Sequence, residues 1–105
     1  ISPGEYDALV DIYESTGGEH WVWSSDQEAD GIPWNISGSS DPCVDDWQGV
    51  DCVCPVPDMM CAVTQLDLFR KNLTGSIPTS VAALPYLGYL NLGANGLTGH
   101  IPPQI

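Results

Sequence analysis

Four cysteines, at positions 43, 52, 54 and 61, are the residues best suited to covalent chemistry in this chain of 105 residues. An even number of thiols clustered in a small acidic chain points to disulfides and an oxidising compartment. Cys52 and Cys54, with a single residue between them, are poorly placed to bond each other. The two local loops, Cys43–Cys52 and Cys54–Cys61, are favoured, while spacing alone leaves all three connectivities open. A zinc site is the competing reading. The spacing C-x8-C-x-C-x6-C lacks the C-x2-C knuckles of common zinc modules.

Carboxylates offer a second chemistry. Asp26, Glu28, Asp30 and Gly31 follow the opening of a calcium loop, D-x-[DN]-x-[DN]-G. Glu28 is off pattern, and Ser37 stands where the closing bidentate Glu belongs, so a complete EF-hand is excluded. The expectation left is a weaker calcium site at Asp26, Glu28 and Asp30, helped by Asp41, Asp45 or Asp46, set against a plain solvated acidic loop. Two glycosylation sequons, Asn35-Ile36-Ser37 and Asn72-Leu73-Thr74, make N-linked glycans the modification to expect.

Catalytic constellations are missing from the sequence. There is no G-x-S-x-G, no H-E-x-x-H and no G-x-x-x-x-G-K. His20 and His100 are isolated, which suits surface or packing residues better than general bases. So many carboxylates make any single acid pair uninformative, and a glycosidase is only an outside reading. The chain is therefore expected to be non-enzymatic.

Charge narrows the partners. The net charge is -12, and Arg70 and Lys71 are the only fixed cations. Nucleic acid and anionic membrane both need a basic face, so both are argued against. Cations, basic proteins and neutral sugars stay open. No apolar run approaches the roughly 18 residues of a membrane span. The chain opens on Ile1 instead of Met, and the expectation is a processed chain or a fragment.

These residues must be held by a small domain. A chain of this size buries only about 65% of its unfolded surface. At 43% hydrophobic residues it is nevertheless a folding composition. SPGEYDALVDIYES predicts a helix over about 3–15, capped by Ser2, with Pro3 at its start and Glu5 completing an S-x-x-E box. Tyr6, Leu9, Val10 and Tyr13 form its apolar stripe, widened by Ile12, and Gly17-Gly18 stops it. Residues 19–62 carry no sustained period and hold all four tryptophans and all four cysteines. Irregular structure, held by aromatic packing and disulfides instead of a hydrogen-bond ladder, is expected there. Trp21, Trp23, Trp34 and Trp47 are read mostly as core, with a sugar-stacking platform as the lesser alternative.

From Val63 the chain says the same thing twice. Val63 aligns with Leu87, Leu66 with Leu90, Leu68 with Leu92, Leu73 with Leu97 and Ile77 with Ile101, every offset being 24. L-x-x-L-x-L at such a period is a leucine-rich repeat, one layer of a solenoid. Period-two alternation turns Leu66 and Leu68 inward and Gln65, Asp67 and Phe69 outward, with Tyr89 and Asn91 at the matching places of the second turn. Gly75 and Gly99 are expected where positive φ or close backbone approach is needed. Pro78 and Pro102 end the local pairing.

The repeats resemble plant-type extracellular leucine-rich repeats, L-x-x-L-x-L-x-x-N-x-L-T-G-x-I-P. Ala8–Trp21, Trp34, Asp41–Cys43 and Trp47–Cys52 resemble the amino-terminal cap of that family. The resemblance implies an α/β solenoid: a leucine-rich repeat fold with an N-terminal helix, a disulfide-bonded cap over 1–62, and repeats over 63–105, divided into 63–86 and 87–105. A short parallel sheet would line the concave face. The family's ladder asparagine is present as Asn95, but Lys71 holds its place in the first turn and has no acceptor, which weakens that turn. Trp21 and Trp34 stand further apart than the family's spacing, implying an insertion around Ser24–Pro33. The second turn stops short at Ile105, counterpart of Val81, so a continuing chain or a covering molecule is expected.

The resemblance implies a secreted or cell-surface glycoprotein module that recognises a protein or glycan. Its concave binding face would be Gln65, Asp67, Phe69, Tyr89 and Asn91. The alternative is a structural subunit of an extracellular fibre or matrix, in which copies of the chain assemble head-to-tail through open solenoid ends.

Overall fold

Ser2 starts the first helix, α1 (Pro3–Ser15), by accepting the Glu5 N–H on its hydroxyl at 3.3 Å. The computed structural model describes residues 1–54 and 61–99. The expectations for His100, Ile101, Pro102 and the end at Ile105 lie outside the described residues. The Glu5 carboxylate, predicted on the Ser2 N–H, accepts instead from the Ser2 hydroxyl at 3.1 Å and from the Val63 N–H at 3.0 Å. A side chain expected to serve its own helix thus ties that helix to the repeats. The inward face of α1 is Glu5, Ala8, Leu9 and Ile12. Tyr6, Val10 and Tyr13 of the predicted stripe are half-buried at its margins.

Thr16 closes α1, and Gly17 turns the chain away at φ 71°. The Thr16 carbonyl then accepts twice, from the Trp21 indole at 3.1 Å and from the Thr74 N–H at 3.0 Å. The end of α1 is thereby welded to both the tryptophan segment and the first repeat.

Residues 21–47 are organised by rings. Trp23, Trp21, Trp34, Trp47 and Tyr6 form a continuous run with centroid separations of 5.5, 4.9, 5.2 and 6.0 Å. Trp21, Trp34 and Trp47 are buried and Trp23 is half-buried. Each buried indole N–H has an acceptor: Thr16 O, Gln48 O at 2.8 Å and Ser40 Oγ at 2.8 Å. The inserted segment holds one short helix, α2 (Gln27–Asp30).

Segment 19–62 is not wholly irregular. Val50–Val53 forms β1, which pairs antiparallel with β2 (Ala62–Asp67). The expectation of no ladder is corrected here. β1 is short, and its register shifts between Asp51 and Cys52, so it leaves no alternating stretch long enough to read. Cys43 bonds Cys52 and Cys54 bonds Cys61, with Cα separations of 5.8 and 4.1 Å. Asp41 anchors the Cys43 loop. Burial alone would raise its pKa, but the Ile1 α-amino group at 3.0 Å and the N–H groups of Val44 and Cys43 hold it below the ordinary carboxylate value.

The repeats stack side by side. β2 pairs parallel with β4 (Tyr89–Asn91), matching Gln65 to Tyr89, Leu66 to Leu90 and Asp67 to Asn91. On the opposite side β3 (Thr74–Gly75) pairs parallel with β5 (Gly96–Leu97). Gly75 has φ 74°, and a Cβ there would run into the Ser15 carbonyl of α1, so the position excludes a side chain twice over. After Pro78 the 3-10 turn Thr79–Ala83 packs on α1, burying Val81. Leu66, Leu68 and Leu73 are fully buried with Trp47, Leu9 and Ile12 in one core. Leu90, Leu92 and Leu97 of the second turn are only half-buried against it.

Candidate recognition face

The three-stranded sheet, in the order β1-β2-β4, buries one face and exposes the other. Its register sets Asp51, Gln65 and Tyr89 in one exposed row and Asp67 beside Asn91 in the next. Gln65, Asp67, Phe69, Tyr89 and Asn91 are thus brought together, as neighbours on one surface. Phe69 is 47% exposed and Tyr89 48%, large values for rings on a folded domain. Phe69 lies just past the end of β2, in the turn that comes next, and its ring rests over Gly93 of the next repeat. Arg70 holds its guanidinium 5.4 Å from the Phe69 centroid.

Equivalent residues repeat a local device. Asp67 Oδ1 accepts the Phe69 N–H at 3.2 Å, and Asn91 Oδ1 accepts the Gly93 N–H at 3.0 Å. One oxygen of each side chain steers the chain out of the strand, leaving the rest of the head group toward solvent.

Next to this face the Asn95 amide does the work of the ladder. Its Nδ2 donates to the carbonyls of Leu68, Leu92 and Gly93 at 2.8, 3.0 and 3.0 Å. Its Oδ1 accepts from the N–H groups of Lys71 and Leu73, each at 3.0 Å. Lys71, in the same place one turn earlier, points sideways. Its Nζ lies 3.4 Å from Gln48 Oε1 and 5.7 Å from the Trp23 ring centroid. The buried Gln48 amide bonds the cap backbone, donating to Ser24 O and Gly31 O and accepting from Ser24 N. The Gln48 amide thus orders the cap segment beside the first turn, and among the described residues its one link to the repeat is the Lys71 ammonium.

Sequence reasoning missed three contributors to this surface: Asp30 from the insertion, Asp51 from β1, and Lys71. With Gln48, Asp67 and Phe69 they line a cleft of about 430 Å³ between α2 and the sheet. Asp30 stood out only as part of a calcium-loop pattern and Lys71 only as a break in the asparagine ladder, while Asp51 is a variable place of the W-x-G-V-x-C stretch.

The calcium reading gains no convergent ligand set. Asp26 Oδ1 accepts the Ala29 N–H at 3.2 Å, capping α2, and Asp30 accepts from the Ser24 hydroxyl. Among the described residues no three His, Cys, Asp or Glu side chains are grouped so that they could hold a metal ion. Asn35 and Asn72 are both exposed. Asn35 Oδ1 accepts the Ser37 N–H at 3.1 Å, while Asn72, at φ 66°, donates its amide to His20 O at 3.1 Å. Among the described residues no helix is long and apolar enough to cross a membrane.

No recognised protein-family profile matches the chain. A probable leucine-rich repeat receptor-like serine/threonine-protein kinase of Arabidopsis thaliana is 31% identical over 103 residues, which are 95% of this chain and 10% of the relative. The leucine-rich repeat receptor-like serine/threonine-protein kinase SKM1 of the same plant is 38% identical over 73 residues, 69% of this chain and 7% of the relative. The nodulation receptor kinase of Pisum sativum is 42% identical over 67 residues, 63% of this chain and 7% of the relative. The chain thus spans a tenth or less of the length of these relatives. Among solved structures, the leucine-rich repeat ectodomain of the receptor kinase SOBIR1 from Arabidopsis thaliana superposes with a TM-score of 0.68 at 24% identity, covering 100% of this chain and 48% of that one. That likeness concerns the fold. By its 31% identity to the probable receptor-like kinase over 95% of its length, and with the 24-residue register of β2 on β4 and its two disulfides, the chain belongs to the plant-type leucine-rich repeat proteins.

Proposed function

We propose that this chain is the non-catalytic recognition module of a secreted or cell-surface protein, and that it binds a peptide or protein on its exposed sheet face. The observation that carries this reading is the pairing of Phe69 and Tyr89, each about half exposed, with the polar side chains of Gln65, Asp67 and Asn91 on one surface. Exposed rings cost solvation unless a partner covers them, and aromatic anchors ringed by polar groups are what protein interfaces use. The repeats hold these side chains on strands, with Phe69 in the turn just after β2, so little ordering is needed on binding. Two disulfides and two exposed sequons suit an oxidising, glycosylating compartment. The relatives' names describe receptor-like kinases, which supports a ligand-recognising role for the aligned segment.

The test is a selection of random peptides displayed on phage against the folded chain. Binders are then re-measured on Phe69→Ala and Tyr89→Ala. Losses of about tenfold or more at both positions, with unchanged melting temperature, support the reading. Binding to both variants as tight as to the parent chain overturns it. Intact mass after expression in a eukaryotic secretory host, with and without deglycosylation, checks Asn35 and Asn72.

A further inference from the structure

We infer that the end of the face nearest the cap takes a cationic side chain, so that the preferred ligand is a peptide segment carrying arginine or lysine. This rests on the proposed recognition role and specifies its partner. The inserted segment does not merely lengthen the cap. Through α2 it raises a wall beside the sheet and turns the end of a flat face into a cleft.

Three carboxylates line that cleft, Asp30 on the α2 side and Asp51 and Asp67 on the sheet side, and they come from segments far apart in the chain. Asp51 pairs with Gln65, so Asp67 on the neighbouring strand is its diagonal neighbour, and a basic side chain between the two carboxylates faces both. Phe69, half exposed with Arg70 already beside its ring, adds an aromatic edge to the cleft, and rings attract ammonium and guanidinium groups. Among the described residues, the single cation lining the cleft is Lys71. It is held at the floor by Gln48 and Trp23. The chain's two fixed cations, Arg70 beside the cleft and Lys71 within it, each lie over an aromatic ring, Phe69 and Trp23 respectively. Lys71 leaves the cleft with an unbalanced negative charge, and the whole chain carries a charge of -12, so the field steers basic partners toward it.

Selection of phage-displayed peptides tests this directly, with three variants added. Asp51→Asn/Asp67→Asn removes two charges at the cleft. Asp7→Asn/Asp11→Asn removes two exposed charges on α1, away from it. Lys71→Gln removes the internal cation while leaving the backbone N–H that Asn95 holds. The expected result is enrichment of arginine- or lysine-bearing peptides. Their binding should fall about fivefold in the cleft variant, stay unchanged in the α1 variant, and strengthen at least about twofold in Lys71→Gln. Equal losses in the cleft and α1 variants would mean diffuse attraction to an acidic protein and would overturn the inference. Enriched peptides without basic residues that still need Tyr89 would also overturn it, and would leave the recognition reading standing. If peptides bind Phe69→Ala and Tyr89→Ala as well as the parent chain, both fall.

Discussion

Asn95 accepts the backbone N–H of Lys71, the residue that holds the same place one repeat earlier, at 3.0 Å. One amide thereby joins successive turns and satisfies backbone groups where the chain leaves the strands. Five hydrogen bonds converge on it, and several of the groups it serves are shielded from water. Asn95→Ala is expected to destabilise the chain by about 2–3 kcal/mol in urea unfolding, since orphaned polar groups cost more than average bonds contribute. Asn95→Asp keeps the acceptor and loses all three donations, so it should be no better tolerated. A loss under about half a kcal/mol for Asn95→Ala would contradict the bracing role.

Glu5 ties α1 to β2 through the Val63 N–H, across 58 positions of sequence. It is only 5% exposed, so truncation leaves a buried donor without water. Glu5→Ala should cost about 1–3 kcal/mol and speed hydrogen exchange at the Val63 amide more than at Leu66. Unchanged protection at Val63 would mean that another acceptor takes over.

Gly49 and Gly4 should respond oppositely to alanine. Gly49 has φ 80°, and a Cβ there would collide with the Asp67 carbonyl of the neighbouring strand. Gly49→Ala should destabilise by about 2 kcal/mol or more. Gly4, in the first turn of α1, has open space around its would-be Cβ. Gly4→Ala should stabilise by about 0.5–1 kcal/mol. Thermal melts of the pair provide the check.

The two disulfides close loops of similar length, with sequence separations of 9 and 7, so chain entropy ranks them nearly equal. Their surroundings differ. Cys43–Cys52 fastens the loop that carries buried Trp47 and Gln48 to β1, whereas Cys54 is exposed. Replacing Cys43 and Cys52 by serine should cost about 2–4 kcal/mol and exceed the loss from Cys54 and Cys61. Mass mapping of the oxidised chain should find no exchange between the pairs. An equal loss in the two variants would deny the Cys43 loop its packing role.

What the sequence determined by itself was whatever leaves a period or a local signal. The 24-residue offset specified which leucines stack, and β2 lies on β4 in that register. Ser2, Pro3 and Gly17 marked the ends of α1, because caps and breakers act on adjacent residues. Alternation turned Leu66 and Leu68 inward and Gln65 and Asp67 outward. Tertiary structure decided everything that depends on partners remote in the chain. It recruited β1 into the sheet, drew Glu5 to Val63, and brought Asp30 and Asp51 to the edge of the face. It also turned Lys71 aside to Gln48 and Trp23, where the repeat pattern calls for an asparagine. The physical reason is common to all four. A periodic pattern records which side of an element is buried, but a bond between segments depends on where the packed rings and strands finally meet.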